Sequence, residues 1–296
     1  MKCWNQRILL EIERIESRCR ELSLDPSSLN NTIHQVRRLS KNLRSLIKLI
    51  APKPSDDLRK IYLQLRQLSR TLSPYRDQVV FVQTLGRVQD GLQSKKPKMA
   101  KVLKILAKEQ DWEYTSKEKD QAVQSLVQQA LEEFQQAARS LASKLIEGEV
   151  ELRSKTIFDN HLFAWKKLRQ RAKVVHRKSS IEKWHDLRKA AKSLEYQLKL
   201  LSRFSVVNLN KSYLRVEKVG NHLGWFNDLA KANEFIESGR SSLGIKILIT
   251  QKDKDLFLSI MAKYSGQSCR QAMVAIKKLL AAGKKLQGMK PGDVIF

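Results

Sequence analysis

Residues 33–50 read IHQVRRLSKNLRSLIKLI, and residues 185–201 read HDLRKAAKSLEYQLKLL. Wound at about 100° per residue, the first stretch separates into two faces. Ile33, Val36, Leu39, Leu43, Leu46, Ile47 and Ile50 share one side. His34, Arg37, Lys41, Arg44 and Lys48 fall within an arc of about 80° on the other. The second stretch divides alike, with Leu187, Leu194, Leu198 and Leu201 opposite His185, Arg188, Lys192 and Lys199. Each is an amphipathic helix with a core face and a cationic face. Like charges three and four residues apart cost a helix about 0.2–0.5 kcal/mol per pair, and the five-member first stripe carries no compensation of its own.

The two stretches are copies. Shifting the chain by 151 residues lays His34 on His185, Arg37 on Arg188, Lys41 on Lys192, Lys48 on Lys199 and Leu49 on Leu200 without a gap. The same shift pairs Lys60 with Lys211, Tyr62 with Tyr213, Leu63 with Leu214, Leu72 with Leu223 and Asp77 with Asp228, and upstream Arg18 with Arg169. The period is too long for a solenoid repeat. It predicts two similar helical halves, residues 1–150 and 151–296, joined near Glu147–Asn160 and packed about a pseudo-two-fold axis. The helix before the second stripe adds Lys166, Arg169, Lys173 and Arg177, and its N-terminal counterpart offers Arg7, Arg14 and Arg18. Four such helices in symmetric pairs would line a shared basic groove.

The rest of the chain reads as helix too. Five of six prolines precede Lys98, and apolar residues recur every three or four positions, as in Val123, Leu126, Val127, Ala130, Leu131 and Phe134. Breaks are expected at Asp25–Ser28, Pro52–Asp57, Lys95–Pro97, Trp112–Ser116, Gly148, Lys178–Ser180, Val206–Asn208, Ser238–Ser242 and Tyr264–Gln267. The one strand-like run, Gly244–Thr250 (GIKILIT), is expected as helix or an ordered connection rather than a strand. The expectation is an all-α chain of around eight or more helices.

Charge narrows the function. The chain of 296 residues carries 57 Lys and Arg against 30 Asp and Glu, a formal net charge of +27. Self-repulsion on that scale points to a polyanionic partner. The charge is uneven: between Glu109 and Asn160 eleven acidic residues outnumber six basic ones. Cys3, Cys19 and Cys269 form no metal-ligand cluster and suit thiols of a reducing compartment. The N-terminus is broken by Arg7, Glu11 and Glu13 and is no signal peptide, and no apolar run reaches membrane-span length. A cytoplasmic protein is expected, without a membrane role, because no exposed apolar stripe flanks the basic faces. Walker, HExxH and GxSxG motifs and paired acidic metal sites are lacking, so no catalytic residue, metal or cofactor is expected. A second element follows each stripe, Leu72-Ser73-Pro74-Tyr75-Arg76-Asp77 and Leu223-Gly224-Trp225-Phe226-Asn227-Asp228. It reads as a helix joint whose Asp orients a cation or caps a helix. His34 and His185 open the stripes and, if charged, would titrate near neutral pH.

These residues resemble the conserved-histidine α-helical domain (CHAD) family. The resemblance rests on His34-x-x-Arg37-x-x-x-Lys41-x-x-Arg44, on its copy His185-x-x-Arg188-x-x-x-Lys192-x-x-x-Tyr196, and on the Leu-Gly-x-x-x-Asp element, clearest in LGWFND. It implies two four-helix halves around a basic pore or groove that holds inorganic polyphosphate. The expected contacts are Arg14, Arg18, His34, Arg37, Lys41, Arg44, Lys48, Arg76, Lys166, Arg169, Lys173, His185, Arg188, Lys189, Lys192 and Lys199. Association with polyphosphate granules would follow. Two departures stand out: Glu195 lies within the second stripe, where it would pair with Arg188, Lys192 or Lys199, and Asp77 is followed by Gln78 rather than a second acidic residue. The rival binding class is an RNA-type nucleic acid, whose backbone the same cations would contact. Against it, the stripes lack the interleaved aromatics of a single-strand stacking surface.

Overall fold

The computed structural model describes residues 4–24, 29–118, 121–148, 152–203 and 209–286. Ten helices run through them: α1 (Trp4–Leu24), α2 (Leu29–Ile50), α3 (Asp56–Thr71), α4 (Ser73–Leu92), α5 (Pro97–Glu118), α6 (Gln121–Ile146), α7 (Ser154–Val174), α8 (Ile181–Leu201), α9 (Asn210–Ser238) and α10 (Gln251–Leu286). Among the described residues there is no strand, only one antiparallel bridge between Arg240 and Lys246. The chain is all-α, as its apolar periodicity predicts. The apolar faces of α2 and α8 are buried, with Val36, Leu43, Leu46, Leu187 and Leu194 at full burial.

Local chemistry sets the helix ends. Ser55 accepts the Leu58 N–H and opens α3 behind the Pro52–Pro54 break. Pro74 sits in the first turn of α4, where its missing N–H does no harm but forbids continuation of α3. Positions 223–225 in the second copy hold no proline, and α9 runs unbroken through them. Gly239 ends α9 in the left-handed region at φ 71°. Thr250 caps α10 by accepting the Asp253 N–H and donating to the Asp253 carboxylate.

Two of the expected breaks need correction, and two lie outside the described residues. Helix α5 passes through Trp112–Ser116 and α10 through Tyr264–Gln267 without a break. Neither stretch holds proline, and a few weak helix formers inside a long helix cost too little to stop it. Gly244–Thr250 is a connection, held by Ser241 N–H to Ile245 O at 2.9 Å and Ile247 N–H to Gly239 O at 2.9 Å. The breaks at Asp25–Ser28 and Val206–Asn208, and Cys3, lie outside the described residues.

Two apolar clusters hold the helices together. The larger joins α1, α2, α3, α6, α7 and α8 with the first half of α9 (Val216, Val219, Leu223) and the C-terminal half of α10. The smaller joins α4 and α5 with the second half of α9 (Leu229, Ala232, Ile236) and the start of α10. Both long helices serve both clusters. Buried amides tie elements across them: Gln78 donates to Gln110, which donates to Lys246 O at 2.8 Å, and Asn160 of α7 donates to Leu49 O at 2.8 Å. The missing second acid after Asp77 is thus a fully buried glutamine that packs α4 on α5.

Candidate functional site: a cationic seam between α2 and α8

Helices α2 and α8 pack on each other, so the polar edges of their stripes meet. Partly buried Lys41 has its ammonium pushed down to about 7, first by burial, then by Arg37, Arg188, Arg44 and Lys192. Arg37 is lowered by burial and by Arg76 and Arg188, against the opposing pull of Asp77. Arg37 and Arg188, and likewise Lys41 and Lys192, are residues that the 151-residue shift superposes. Arg188 and Lys192 therefore stand close enough to disfavour the charge of their equivalents Arg37 and Lys41. Among the described residues, the buried Arg188 Nε has no hydrogen-bond partner, and the same holds for Arg38 Nε and Arg44 Nε.

The second element of each copy lies beside this seam. Asp77 pairs with Lys231 of α9 and acts on Arg37. Asp228, its equivalent, has its carboxyl raised by burial while Arg188, Lys231 and Arg76 pull it down. Asp77 thus orients a cation, the first of the two roles anticipated for these aspartates. One exchange separates the copies. His185 Nδ1 donates to Asn227 Oδ1 at 3.0 Å, whereas the position equivalent to Asn227 holds Arg76, the leading charge acting on His34. Burial and that guanidinium push His34 down to about 4, and burial also lowers His185. The expectation that these histidines titrate near neutral pH is corrected: a cationic, desolvated seam holds them neutral there.

Arg37 differs from Arg188 as well. Its Nη1 donates to Ser69 O and Ser73 Oγ at the α3–α4 joint, where carbonyls at a helix end outrun their intrahelical donors. The unbroken α9 presents Arg188 with no such joint. Farther along α2, Arg44 donates to Tyr62 Oη at 3.3 Å, and Arg44 and Lys48 lie over the Tyr62 ring at 5.0 and 5.3 Å. On α8, Glu195 pairs with Lys192 at 2.8 Å, one of the three partners expected for it. Gly220 of α9 allows that pair its place: a Cβ there would lie 2.8 Å from Glu195 Oε2 and 3.1 Å from Lys192 Cε.

A second group of cations gathers at the far end of α8. Lys199 is lowered by burial and by Arg38, Arg203 and Arg18. Arg203 pairs with the buried Glu11 and feels Arg14 and Arg18. Arg18 of α1 therefore acts on Lys199 at the end of the stripe, and Arg14 acts on Arg203 beside it. Exposed Lys189 sits 3.6 Å from Asp186, which also pairs with Arg171, and it acts on His185. On α7, Lys166 and Lys173 are exposed and Arg169 is partly so. None of the three is among the leading charges acting on His34, Arg37, Lys41, His185 or Lys199. Three cations absent from the sequence reading belong to the seam: Arg38, Arg203 and Lys231. Arg38 was within reach, since the same shift pairs it with Lys189; Arg203 and Lys231 owe their places to tertiary packing.

Among the described residues, no group of three or more His, Cys, Asp or Glu is arranged to hold a metal ion, and no helix is long and apolar enough to cross a membrane. Cys19 and Cys269 are buried thiols, and burial pushes Cys19 up to about 12.

An all-helical chain with paired cationic helices and a histidine opening each stripe is a narrow class. Residues 15–237 match the CHAD domain, and the chain belongs to that family. The match begins inside α1 and ends in the last turn of α9. No curated protein matches the chain.

Proposed function

We propose that this protein binds inorganic polyphosphate without chemically altering it, through the cations of α2 and α8 and those that adjoin them. The observation that carries the reading is the juxtaposition of Lys41 with Arg37, Arg188, Arg44 and Lys192. A seam that disfavours its own charge is stabilised when successive phosphates neutralise it, and counterion release adds affinity. Unpartnered guanidinium N–H groups at Arg188 and Arg44 are donors in want of acceptor oxygens. The CHAD membership supports the same ligand. In this reading residues 1–150 and 151–296 are two helical halves about a pseudo-two-fold, with the groove between α2 and α8. The offset of 151 that relates Arg37 to Arg188, Lys41 to Lys192 and Asp77 to Asp228 supports that arrangement. Lys166, Arg169 and Lys173 would then extend the path along α7. The setting proposed is cytoplasmic, at polyphosphate granules.

The test is competition between labelled long-chain polyphosphate and single-stranded RNA at near-physiological salt. Preference for polyphosphate by about tenfold, or ~1.4 kcal/mol, supports the reading. Equal or stronger RNA binding moves the function to nucleic acid.

A further inference from the structure

Tyr62 and Tyr213, which the 151-residue shift superposes, stand among opposite charges. The shift lays Arg44 on Glu195 and Arg66 on Glu217, while Lys41 and Lys48 fall on Lys192 and Lys199. Four positive charges in the first copy thus correspond to two positive and two negative in the second. Tyr62 accepts from Arg44 at 3.3 Å, and against the push of burial its hydroxyl is pulled down by Arg44 and Lys48. Tyr213 donates to Glu217 at 2.8 Å, and burial, Glu217 and Glu195 push its hydroxyl up. Burial and Glu195 also push Tyr196 up to about 12. The exchange decides which cations already have a carboxylate. Among the described residues, Lys41, Arg44 and Lys48 form no ion pair, whereas Lys192 holds Glu195 at 2.8 Å. Cations do gather around Lys199, but carboxylates stand among them: Glu195 acts on Lys199, and Glu11 pairs with Arg203. A phosphate chain leaving the centre of the seam therefore meets unmatched positive charge toward α3 and resident carboxylates toward α9. Like charge set against a polyanion is a repulsive device, and specificity uses repulsion as well as attraction.

We infer that Glu195 and Glu217 make the seam one-sided: the polymer passes from its centre onto the α2–α3 face at Arg44 and Lys48, and is turned away from the equivalent α8–α9 face. The inference rests on the polyanion-binding reading and adds a direction to it, set by two carboxylates rather than by the cations.

The experiment compares two equivalent lysines in the full chain. Lys48 and Lys199 are both exposed, and their alanine variants are titrated with long-chain polyphosphate over a range of salt. The expected result is a loss of affinity about fivefold greater for Lys48→Ala than for Lys199→Ala, with the log–log salt slope of Lys48→Ala shallower by about 0.7. In a Glu195→Gln, Glu217→Gln background the two losses should converge, because the α8–α9 face then accepts the polymer as well. A Glu234→Gln, Glu237→Gln background removes the same charge from exposed positions at the other end of α9 and should leave the gap in place. The Glu195 side chain is only 12% exposed, so Glu217→Gln alone, which should narrow the gap, stays readable if the double variant unfolds. Equal losses in the parent chain overturn the one-sided path. So does a gap that the carboxylate variants narrow no more than the control does. Should the chain bind RNA in place of polyphosphate, the proposed ligand falls, and the same comparison made with RNA still tests the path. Binding of neither polymer overturns both.

Discussion

Lys41 carries the most specific consequence at the scale of single residues. Its ammonium sits at about 7 in the folded chain against an ordinary 10.5. Between those values the unfolded chain binds the extra proton, so this residue makes folding stability rise with pH across that window. Polyanion binding works in the opposite sense, because phosphate oxygens restore the charged form. Affinity should therefore be greatest below pH 7 and fall between 7 and 9, with proton uptake visible as a dependence of calorimetric heat on the buffer's ionisation enthalpy. Lys41→Arg, whose guanidinium stays charged, should flatten that dependence; a profile unmoved by it would remove Lys41 from the site. The two equivalent arginines should also part company. Arg37 donates to Ser69 and Ser73, so Arg37→Ala should cost about 1.5–3 kcal/mol of stability besides binding. Arg188→Ala should weaken binding with little change in urea midpoint. Equal stability losses would contradict the division of labour between the copies. The stripes that meet in the seam were legible because a helix wheel is a local calculation. The Arg76-for-Asn227 exchange was visible in the sequence, but its consequence, a neutral His34, needed the distance between α4 and α2. Glu11 gave no sequence signal at all: one acid among many becomes notable only when burial and three arginines surround it.

Among the elements, α4, α5 and the 239–250 connection share one buried polar contact. Gln110 is 1% exposed and bridges Gln78 to the Lys246 carbonyl. Gln110→Ala strands the Lys246 carbonyl, while Gln78 keeps the backbone carbonyl of residue 110; it should cost about 1–3 kcal/mol, read as a lower denaturation midpoint with polyphosphate affinity of the folded chain retained. Loss of affinity in step with stability would show that the smaller cluster shapes the seam. The helices themselves were readable wherever proline or a caps-and-glycine signal marked an end, as at Pro74, Pro97 and Gly239. Trp112–Ser116 and Tyr264–Gln267 hold no proline, and a few weak formers inside a helix cost too little to end it. Sequence pattern alone also treats the copies as alike. That one copy breaks at Leu72 while the other continues as α9 depends on Pro74 having no counterpart at Trp225.

For the whole molecule, the net charge of +27 sets the response to ions. Self-repulsion relaxes as salt screens it, so melting temperature should rise with ionic strength while polyphosphate affinity falls. If about eight phosphates are neutralised, the log–log slope of affinity on salt should be near −6. The variant lacking Arg37, Lys41, Arg188 and Lys192 should show a shallower slope with its helix content intact. An unchanged slope in that folded variant would place the polymer elsewhere. The 29 residues of α9 make a beam ~43 Å long whose first half is bolted into the larger cluster and whose second half is bolted into the smaller. A beam anchored at both ends transmits torque rather than absorbing it. A polymer drawn into the seam pulls on α8, which lies against that beam, and the pull is delivered to both clusters together. Ligand should thus raise the melting of the whole chain as one transition, and force applied at the chain ends should rupture both clusters in a single step.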